Sequence, residues 1–292
     1  MLRYTMSPSA NIGLPELTLA RHESPASLTA QRLPSIVQIV PPSCGWPKPA
    51  VTPPNSLVTR LSAFVRLNGE ERDALGMLSS NAKPFRSDQI LVHEGSASNS
   101  VYLIISGLAC RYKMLAGGRR QILGYLIPGD LCDIHFVIAN RPDHSVALVG
   151  DSSVARIPTW RIAELIARYP NIGRALTLAS LIDAVILREW LLSVGQRDAL
   201  QRLSHFFCEM AVRLKAIGGA NADGSFELPV NQITLADTLG LTPVHINRTL
   251  QRLRNDGLIR LCHRRLTILD RDRLAMIAGF DDSYLCVRPV AD

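Results

Sequence analysis

The stretch Ile-Thr-Leu-Ala-Asp-Thr-Leu-Gly-Leu-Thr-Pro-Val-His-Ile-Asn-Arg-Thr-Leu-Gln-Arg-Leu-Arg-Asn-Asp-Gly, residues 233–257, decides the fold of the C-terminal part of the chain. Thr234 is placed to cap a short helix, and Gly240 supplies the position that a tight helix-to-helix turn needs. Thr242 can cap a second helix with Pro243 at its first position, where the missing N–H has no cost. This order of residues predicts a helix-turn-helix.

The second helix of this stretch has one apolar and one polar face. Ile246, Leu250 and Leu253 recur at i, i+4 and i+7, so they face the core. The opposite face offers an arginine for guanine, amides for adenine and a valine for a thymine methyl. Arg254 lies further along and suits a phosphate. The predicted DNA-contacting residues are Thr242, Pro243, Val244, His245, Asn247, Arg248, Gln251 and Arg252.

A basic turn at residues 262–265 follows this helix and lies between two short apolar runs, which predicts a wing. His263, Arg264 and Arg265 are its predicted DNA contacts. Residues 231–268 hold six arginines and two aspartates, a net charge of +4 out of +7 for the whole chain. An arginine-rich face can simply be solvated. The concentration of positive charge on a capped helix and a wing favours double-stranded DNA as the partner.

Upstream of this domain, a helical period begins after Pro170, with apolar residues on nearly every face of the segment from Ile172 to Gly195. Such a helix must be covered on two sides. We expect its own β domain on one side and the same helix of a second copy on the other, which makes residues 169–195 a dimerisation helix. The alternative is a core helix buried within one chain. A further helix, from Gln196 to about Ile217, leads into the DNA-binding domain, predicted at 196–272.

Residues 56–168 show short apolar runs cut by turn residues, preceded by short helices at Leu57 and Leu75. Many short strands at regular spacing are typical of an antiparallel sandwich of jelly-roll type. The fold class is therefore α+β. The predicted strands are Ile90–Val92, Val101–Ile105, Gln121–Leu126, Val146–Val149 and Val154–Ile157.

The composition of the chain indicates a globular protein with a proline-rich N-terminal tail. With 292 residues, 47% hydrophobic and 20% charged, the chain is globular overall. Ten of its 18 prolines fall within residues 1–55, which predicts a disordered tail, and residues 273–292 are expected to form a C-terminal tail. Scattered cysteines without a C-x-x-C spacing, no visible leader and no long apolar run predict a cytoplasmic protein with no membrane partner.

The order of a strand-rich domain, a long apolar helix and a winged helix-turn-helix resembles the Crp/Fnr superfamily of bacterial transcription regulators. The resemblance covers roughly residues 57–270. Its most specific parts are Leu241–Leu250, the strand pair from Glu94-Gly95 to Tyr102–Gly107, and Pro128-Gly129-Asp130-Leu131. It implies a cyclic-nucleotide-binding-like roll, a homodimer that binds two operator half-sites, contact with RNA polymerase, and a base-contacting role for Arg248.

The resemblance also implies an effector pocket in the strand-rich domain. Members that bind cyclic AMP use a Gly-Glu-Leu turn and an Arg-Ser pair that holds the phosphate. Here Gly129-Asp130-Leu131 keeps the turn, but His144-Ser145 stands where the Arg-Ser pair is expected. A buried phosphate needs a charge-assisted donor, so cyclic AMP is disfavoured. The predicted pocket residues are Gly129, Asp130, Leu131, His144 and Ser145.

The cysteines and histidines bear on two other sensing chemistries. An iron–sulfur cluster is disfavoured because members of that type gather cysteines near the N-terminus, where this chain has only Cys44. Cys132, His135 and His144 could form a metal, haem or redox site around one loop. Their spacing matches no standard ligand set, so structural hydrogen bonding is the preferred interpretation.

The sequence as a whole predicts a homodimeric, sequence-specific DNA-binding regulator with an unidentified effector, whose hinge lies around residues 193–196. The alternative is a ligand-binding regulatory module that acts through protein contacts. No phosphate loop, zinc-protease motif or nucleophile elbow indicates an enzyme.

Overall fold

A computed structural model describes residues 55–132 and 141–286, which all lie in one compact unit, Lys48–Asp292. The predicted disordered tail, apart from its last residue, lies outside the described residues, together with its Cys44. His135 and the last six residues of the predicted C-terminal tail do so as well.

The N-terminal half is a roll of two four-stranded antiparallel sheets, with the orders β1-β8-β3-β6 and β2-β7-β4-β5. Val101, Leu103 and Leu148, from both sheets, share one core, which confirms the predicted antiparallel roll. The strands are β1 (Ala82–Phe85), β2 (Ile90–Val92), β3 (Ser100–Ser106), β4 (Ala109–Met114), β5 (Arg120–Leu126), β6 (Leu131–Cys132), β7 (Ser145–Leu148) and β8 (Ser152–Pro158).

Three short helices cover the roll: α1 (Ser56–Ser62), α2 (Gly69–Gly76) and α3 (Thr159–Arg168), with a 3-10 turn at Met77–Ser79. A capping box starts α2, because Asn68 accepts from the Glu71 amide at 2.9 Å and Glu71 accepts from the Asn68 amide at 2.8 Å. The turn before β6 packs against the start of α1. Gly129 has φ +90°, and a Cβ there would lie 2.6 Å from the Ser56 carbonyl oxygen. Only glycine fits this close approach.

The long helix α4 (Pro170–Gln196) has 27 residues, which gives it a length of about 40 Å. One face packs on the roll and on the domain that follows, through Ile172, Ile182 and Trp190. The opposite face leaves large apolar side chains in solvent. These are Leu181, Leu187, Leu191, Leu192 and Val194, with Leu191 74% exposed.

The C-terminal half contains α5 (Ala199–Ala216), α6 (Gln232–Leu239), α7 (Pro243–Asn255) and α8 (Arg271–Ala278). A three-stranded antiparallel sheet of order β10-β11-β9 lies beside them, formed by β9 (Phe226–Glu227), β10 (Ile259–Cys262) and β11 (Arg265–Ile268). The boundary expected at residue 272 falls inside α8. Leu274, Ala278 and Leu285 are buried, so the chain up to Cys286 belongs to the folded domain and not to a tail.

The core of the C-terminal half continues into the roll. Tyr125 of β5 packs against Trp190 of α4 and Phe206 of α5, with ring centroids 6.0 and 5.4 Å away. Ile246 and Leu250 of α7 belong to the same cluster. In this arrangement the β2-β7-β4-β5 sheet of the roll and the helix-turn-helix share one hydrophobic core.

Candidate nucleic-acid interface and roll cavity

The helix-turn-helix formed by α6 and α7 has the predicted turn but a different first cap. Asn231 caps α6, since its Oδ1 accepts from the Thr234 amide at 2.8 Å; Thr234 lies inside the helix, so the cap predicted there is wrong by three residues. Gly240 ends α6 at φ +63°, and Thr242 caps α7 with Pro243 at its first turn. The turn is therefore fixed by residues with defined backbone roles.

Helix α7 buries one face and exposes the other. Ile246, Leu250 and Leu253 are at most 1% exposed, as the spacing predicts. Thr249 is also buried, and its hydroxyl donates to the His245 carbonyl at 2.8 Å. The exposed side chains of the predicted set are Thr242, Pro243, Val244, His245, Arg248, Gln251 and Arg252.

Asn247 and Arg248 differ in how freely their side chains could contact a partner molecule. Asn247 is half-buried, and its Nδ2 donates to Gln232 Oε1 of α6 at 3.3 Å. Arg248 is exposed and forms no ion pair within the described part of the chain, whereas Arg252 lies 3.9 Å from Asp256. An exposed guanidinium without an internal partner can present its donors to a base or phosphate without first breaking a contact.

The wing is a two-residue hairpin between β10 and β11. Cys262 pairs with Arg265 across it, and His263 and Arg264 occupy the turn with φ 49° and 61°. His263 Nδ1 lies 3.0 Å from Cys262 Sγ. The Arg264 carbonyl accepts from the Leu228 amide at 2.7 Å, which ties the turn to the strand region before α6. His263 and Arg264 are exposed, and Arg265 is half-buried.

In the roll, four of the five predicted pocket residues line a cavity of about 270 Å³, which we call the roll cavity. Gly129, Asp130, Leu131 and His144 line it. Ser145 is not among its lining residues, and its hydroxyl instead accepts from the Glu94 amide at 3.0 Å. The sequence did not predict the parts of the wall that come from α1, β4, α4 and α5. These contribute Leu57, Arg60, Leu61, Arg111, Leu176, Asp183, Leu187 and Arg213.

Asp130 is held by internal donors. Its Oδ2 accepts from Arg213 Nη2 at 3.1 Å and from the Ile127 amide at 3.0 Å. Its Oδ1 lies 2.8 Å from Arg60 Nη1 in an ion pair, and the residue is 4% exposed. The acid of the Gly-Asp-Leu turn thus joins α1 to α5. A ribose hydroxyl would have to compete with two guanidinium groups for it.

The loop residues weighed as metal ligands are only partly placed. Cys132 is buried in β6, and His144 is buried with its Nδ1 2.8 Å from Asp143 Oδ1. Among the residues described, no three His, Cys, Asp or Glu side chains are grouped as a metal site. His135 is outside those residues, so the set of three stays untested.

Polar contacts join β5 of the roll to α6. The Arg120 Nε to Asp237 Oδ2 distance is 2.8 Å, and Gln121 Nε2 donates to the Thr238 carbonyl at 3.2 Å. Tyr125 OH lies 2.7 Å from Thr238 Oγ1. Since the Thr238 hydroxyl donates to the Thr234 carbonyl at 2.7 Å, Tyr125 must be the donor. Burial raises the pKa of Tyr125, which keeps this phenol protonated.

A buried charge cluster lies under the same interface. Glu209 accepts from Trp190 Nε1 at 2.9 Å, from Tyr284 OH at 3.0 Å and from Arg213 at 3.2 Å. Burial raises the pKa of Glu209, and the Arg213 charge and these hydrogen bonds oppose that rise. Arg213 also donates to the Tyr125 carbonyl at 2.9 Å. No local sequence pattern predicts this cluster.

His205 and Cys208 of α5 are buried, and neither lines the roll cavity. The His205 ring contacts Phe280 and stacks on Tyr284, with centroids 5.1 and 6.1 Å away. Burial, and then the Arg197 charge, lower the pKa of His205 to about 4. Burial raises the pKa of the Cys208 thiol to about 12, so the thiol is unreactive.

Two family models match the chain on either side of α4. The model of the cyclic nucleotide-binding domain matches residues 82–169, and that of the Crp-like helix-turn-helix domain matches residues 201–277. The chain belongs to the Crp/Fnr superfamily. It therefore has the architecture of a Crp/Fnr-type transcription regulator, with a cyclic-nucleotide-binding-like domain and a DNA-binding helix-turn-helix.

Curated Crp/Fnr relatives are regulators. The chain is 27% identical over 195 residues to the nitrogen fixation regulation protein FixK of Bradyrhizobium diazoefficiens, which covers 67% of this chain and 81% of the relative. It is 25% identical over 214 residues to the transcriptional activator protein FnrA of Stutzerimonas stutzeri, covering 73% of this chain and 86% of the relative.

Solved structures show that other proteins share the fold. FixK2 from Bradyrhizobium japonicum superposes with a TM-score of 0.61 at 23% identity, covering 67% of this chain and 96% of FixK2. The c-di-GMP responsive global regulator CLP of Xanthomonas campestris superposes with a TM-score of 0.55 at 15% identity, covering 70% and 100%. At these identities the likeness concerns the fold of the Crp/Fnr chain and does not identify its effector.

No helix in the described part of this Crp/Fnr chain is both long enough and apolar enough to cross a membrane.

Proposed function

We propose that this protein is a homodimeric, sequence-specific DNA-binding transcription regulator, and that an effector in the roll cavity controls it. The observation that carries the proposal is the outer face of α7. This face exposes Val244, Arg248 and Gln251 beside a wing that exposes Arg264. These are the side-chain types that contact base edges and phosphates in the major groove.

Base reading is assigned first to Arg248. Its exposed guanidinium can donate to guanine O6 and N7, while Gln251 suits adenine and Val244 a thymine methyl. Asn247 already donates to Gln232, so we assign it to positioning α7 against α6 and not to direct base reading. His245, Arg252, His263, Arg264 and Arg265 are assigned to the DNA backbone or to the groove edges.

The dimer is assigned to the exposed apolar face of α4. Leu181, Leu187 and Leu191 are each more than 50% exposed, and no segment of the described chain covers them. A second copy would bury this stripe in a two-fold seam. It would also place two α7 helices for half-sites about 34 Å apart.

A test of the dimer compares Leu191→Glu with Met276→Glu, which changes an 81% exposed side chain on α8. Sedimentation equilibrium should find a monomer only for Leu191→Glu, because only that carboxylate would be buried in the seam. A dimer in both variants would contradict the assignment.

DNA binding is tested by gel shift with genomic fragments, with and without roughly 200 mM salt. Neutralisation of several phosphates releases counterions, so affinity should fall by orders of magnitude as salt rises. Absence of any salt-dependent complex would favour the alternative, a regulatory module that acts through protein contacts. A regulator of this class acts at the chromosome, in the cytoplasm, and RNA polymerase is its expected partner.

A further inference from the structure

The roll cavity has more positive charge in its wall than the sequence motifs supply. Arg60 comes from α1 and Arg111 from β4, and both lie outside the Gly129–Leu131 turn and the His144-Ser145 pair. Their side chains are 12% and 16% exposed. The expected Arg-Ser pair is absent from its place in the sequence, but the fold brings Arg60 and Arg111, besides the buried Arg213, into the wall from other segments.

Asp183 of α4 connects these two arginines. Its Oδ1 lies 3.5 Å from Arg60 Nη2, and its Oδ2 lies 3.0 Å from Arg111 Nη2. Asp183 is 29% exposed, whereas Asp130 is 4% exposed and contacts Arg60, Arg213 and the Ile127 amide. Asp183 is therefore the carboxylate that an incoming anion can replace, and its two oxygens mark where that anion would bind.

The rest of the wall is mainly apolar. Leu57, Leu123, Leu131 and Leu176 line the roll cavity beside these charges. Its volume of about 270 Å³ is close to the lower end, roughly 300 Å³, of the range for small-molecule sites. These properties fit a small molecule with one anionic group on an apolar body.

We propose that the roll cavity binds a small organic anion, a carboxylate or a phosphate ester, whose anionic group replaces Asp183 on Arg60 and Arg111. This inference rests on the proposed function, in which the same cavity is the effector site. Asp183 lies on α4 between the exposed Leu181 and Leu187. Its displacement would release α4 from the roll next to the surface that we assign to the dimer.

Two fluorescent dyes of similar shape test the proposal on the full chain. 8-Anilinonaphthalene-1-sulfonate carries an anionic group, and N-phenyl-1-naphthylamine is neutral. Arg111→Gln should weaken sulfonate binding about tenfold, the loss expected for one charge-assisted hydrogen bond. Asp183→Asn should strengthen it several-fold, because the internal competitor is removed. Both variants should leave the affinity for the neutral dye unchanged.

A third variant tests whether the dyes bind in the cavity. Gly124 lies opposite Arg111 in the sheet and lines the cavity, and a Cβ there meets no atom within 4 Å. Gly124→Leu should therefore place a larger side chain in the cavity and weaken the binding of both dyes. Unchanged sulfonate binding in Asp183→Asn or in Gly124→Leu would overturn the proposal, as would equal changes for both dyes in Asp183→Asn. These two variants keep the test valid if Arg111→Gln fails to fold.

Competition identifies the source of the anion. Displacement of the sulfonate dye by octanoate indicates a carboxylate, and displacement by cyclic AMP indicates a phosphate ester. Displacement by neither at millimolar concentration overturns the proposal. Gel shifts with the wild type and the same variants test the proposed function separately from the anion site. Absence of DNA binding by the wild-type chain would contradict the proposed function. The dye results alone decide whether the roll cavity binds an anion.

Discussion

Arginines in two regions of this molecule are used in opposite ways. On α7 and the wing, Arg248 and Arg264 are exposed, and neither forms an ion pair within the described residues. Beneath the roll, Arg213 is buried and lies 3.1 Å from Asp130 and 3.2 Å from Glu209. Burial and acidic neighbours, more than residue type, therefore decide whether a cation stabilises the chain or stays available to a partner.

The largest effect should come from the buried member of this comparison. Arg213→Met should lower the free energy of unfolding by about 3–5 kcal/mol, because Asp130 and Glu209 lose a buried partner. The matched change Arg252→Met, at an exposed site, should cost less than about 0.5 kcal/mol. Urea denaturation followed by circular dichroism measures both. Equal losses would remove the distinction between the two regions.

A buried and an exposed histidine should differ in the same way in their effect on the pH dependence of stability. The pKa of buried His205 is lowered to about 4 from 6.5, so the unfolded chain takes up a proton before the folded chain does. Its contribution to stability is complete above pH 6.5 and is lost as pH falls towards 4. At pH 5 the loss is roughly 2 kcal/mol.

The measurement for this prediction is urea denaturation between pH 7.5 and pH 5. His205→Gln should make the fall in stability over this range smaller than in the wild type. Glu189 and Arg197, the charged groups near this ring, remain in both chains. His245→Gln, on the exposed face of α7, is the control and should keep the wild-type fall. A flatter curve for the control variant would contradict the role given to His205.

The exposed arginine should affect DNA binding without affecting folding. Arg248→Ala should weaken operator binding by about 1–3 kcal/mol and relax specificity at one base pair per half-site. Its urea midpoint should match that of the wild type, because the side chain has no internal partner in the described structure. Fluorescence anisotropy with operator variants measures the change. Retention of wild-type specificity would show that Arg248 does not read a base.

The smallest effect is expected at the wing. Arg264→Asn removes one charge and keeps a residue that tolerates positive φ. Binding should weaken evenly across DNA sequences, and the slope of log affinity against log salt should fall by about 1. Anisotropy titrations over a range of salt concentrations test this, and an unchanged slope would place Arg264 away from the phosphates.

Much of the helix-turn-helix was predictable because its signals are local. The positions of Gly240, Thr242 and Pro243 and the period of Ile246, Leu250 and Leu253 lie within one short stretch. The first cap was misplaced because two capping residues, Asn231 and Thr234, stand three positions apart. Asn231 accepts both the amide and the hydroxyl of Thr234, a choice that residue preference alone does not make.

The strands were harder to predict than the helices of this motif. β1 contains Lys83 and Pro84, and in β4 the charged Arg111 and Lys113 alternate with other residues. Neither strand is therefore a run of apolar residues. Their place in the sheets depends on pairing with distant strands. Local pattern therefore missed strands that carry charged residues or a proline.

The cavity charges had no local signal at all. Arg60 and Asp183 are 123 residues apart, and Arg111 and Asp183 are 72 apart. Each looks like an ordinary surface charge in its own segment. Only the packing of α1, β4 and α4 brings them together. The Gly129–Leu131 turn and the His144-Ser145 pair therefore predict only part of the cavity wall.

The wing turn implies a trade-off between stability and function. A two-residue hairpin with positive φ at both positions favours Asn-Gly, yet this chain places His263 and Arg264 there. Each such residue costs roughly 1 kcal/mol against glycine. Replacement of the pair by Asn-Gly would give a more heat-resistant protein with a weaker hold on DNA. Selection for thermal stability alone would therefore remove the two residues that we assign to DNA contact.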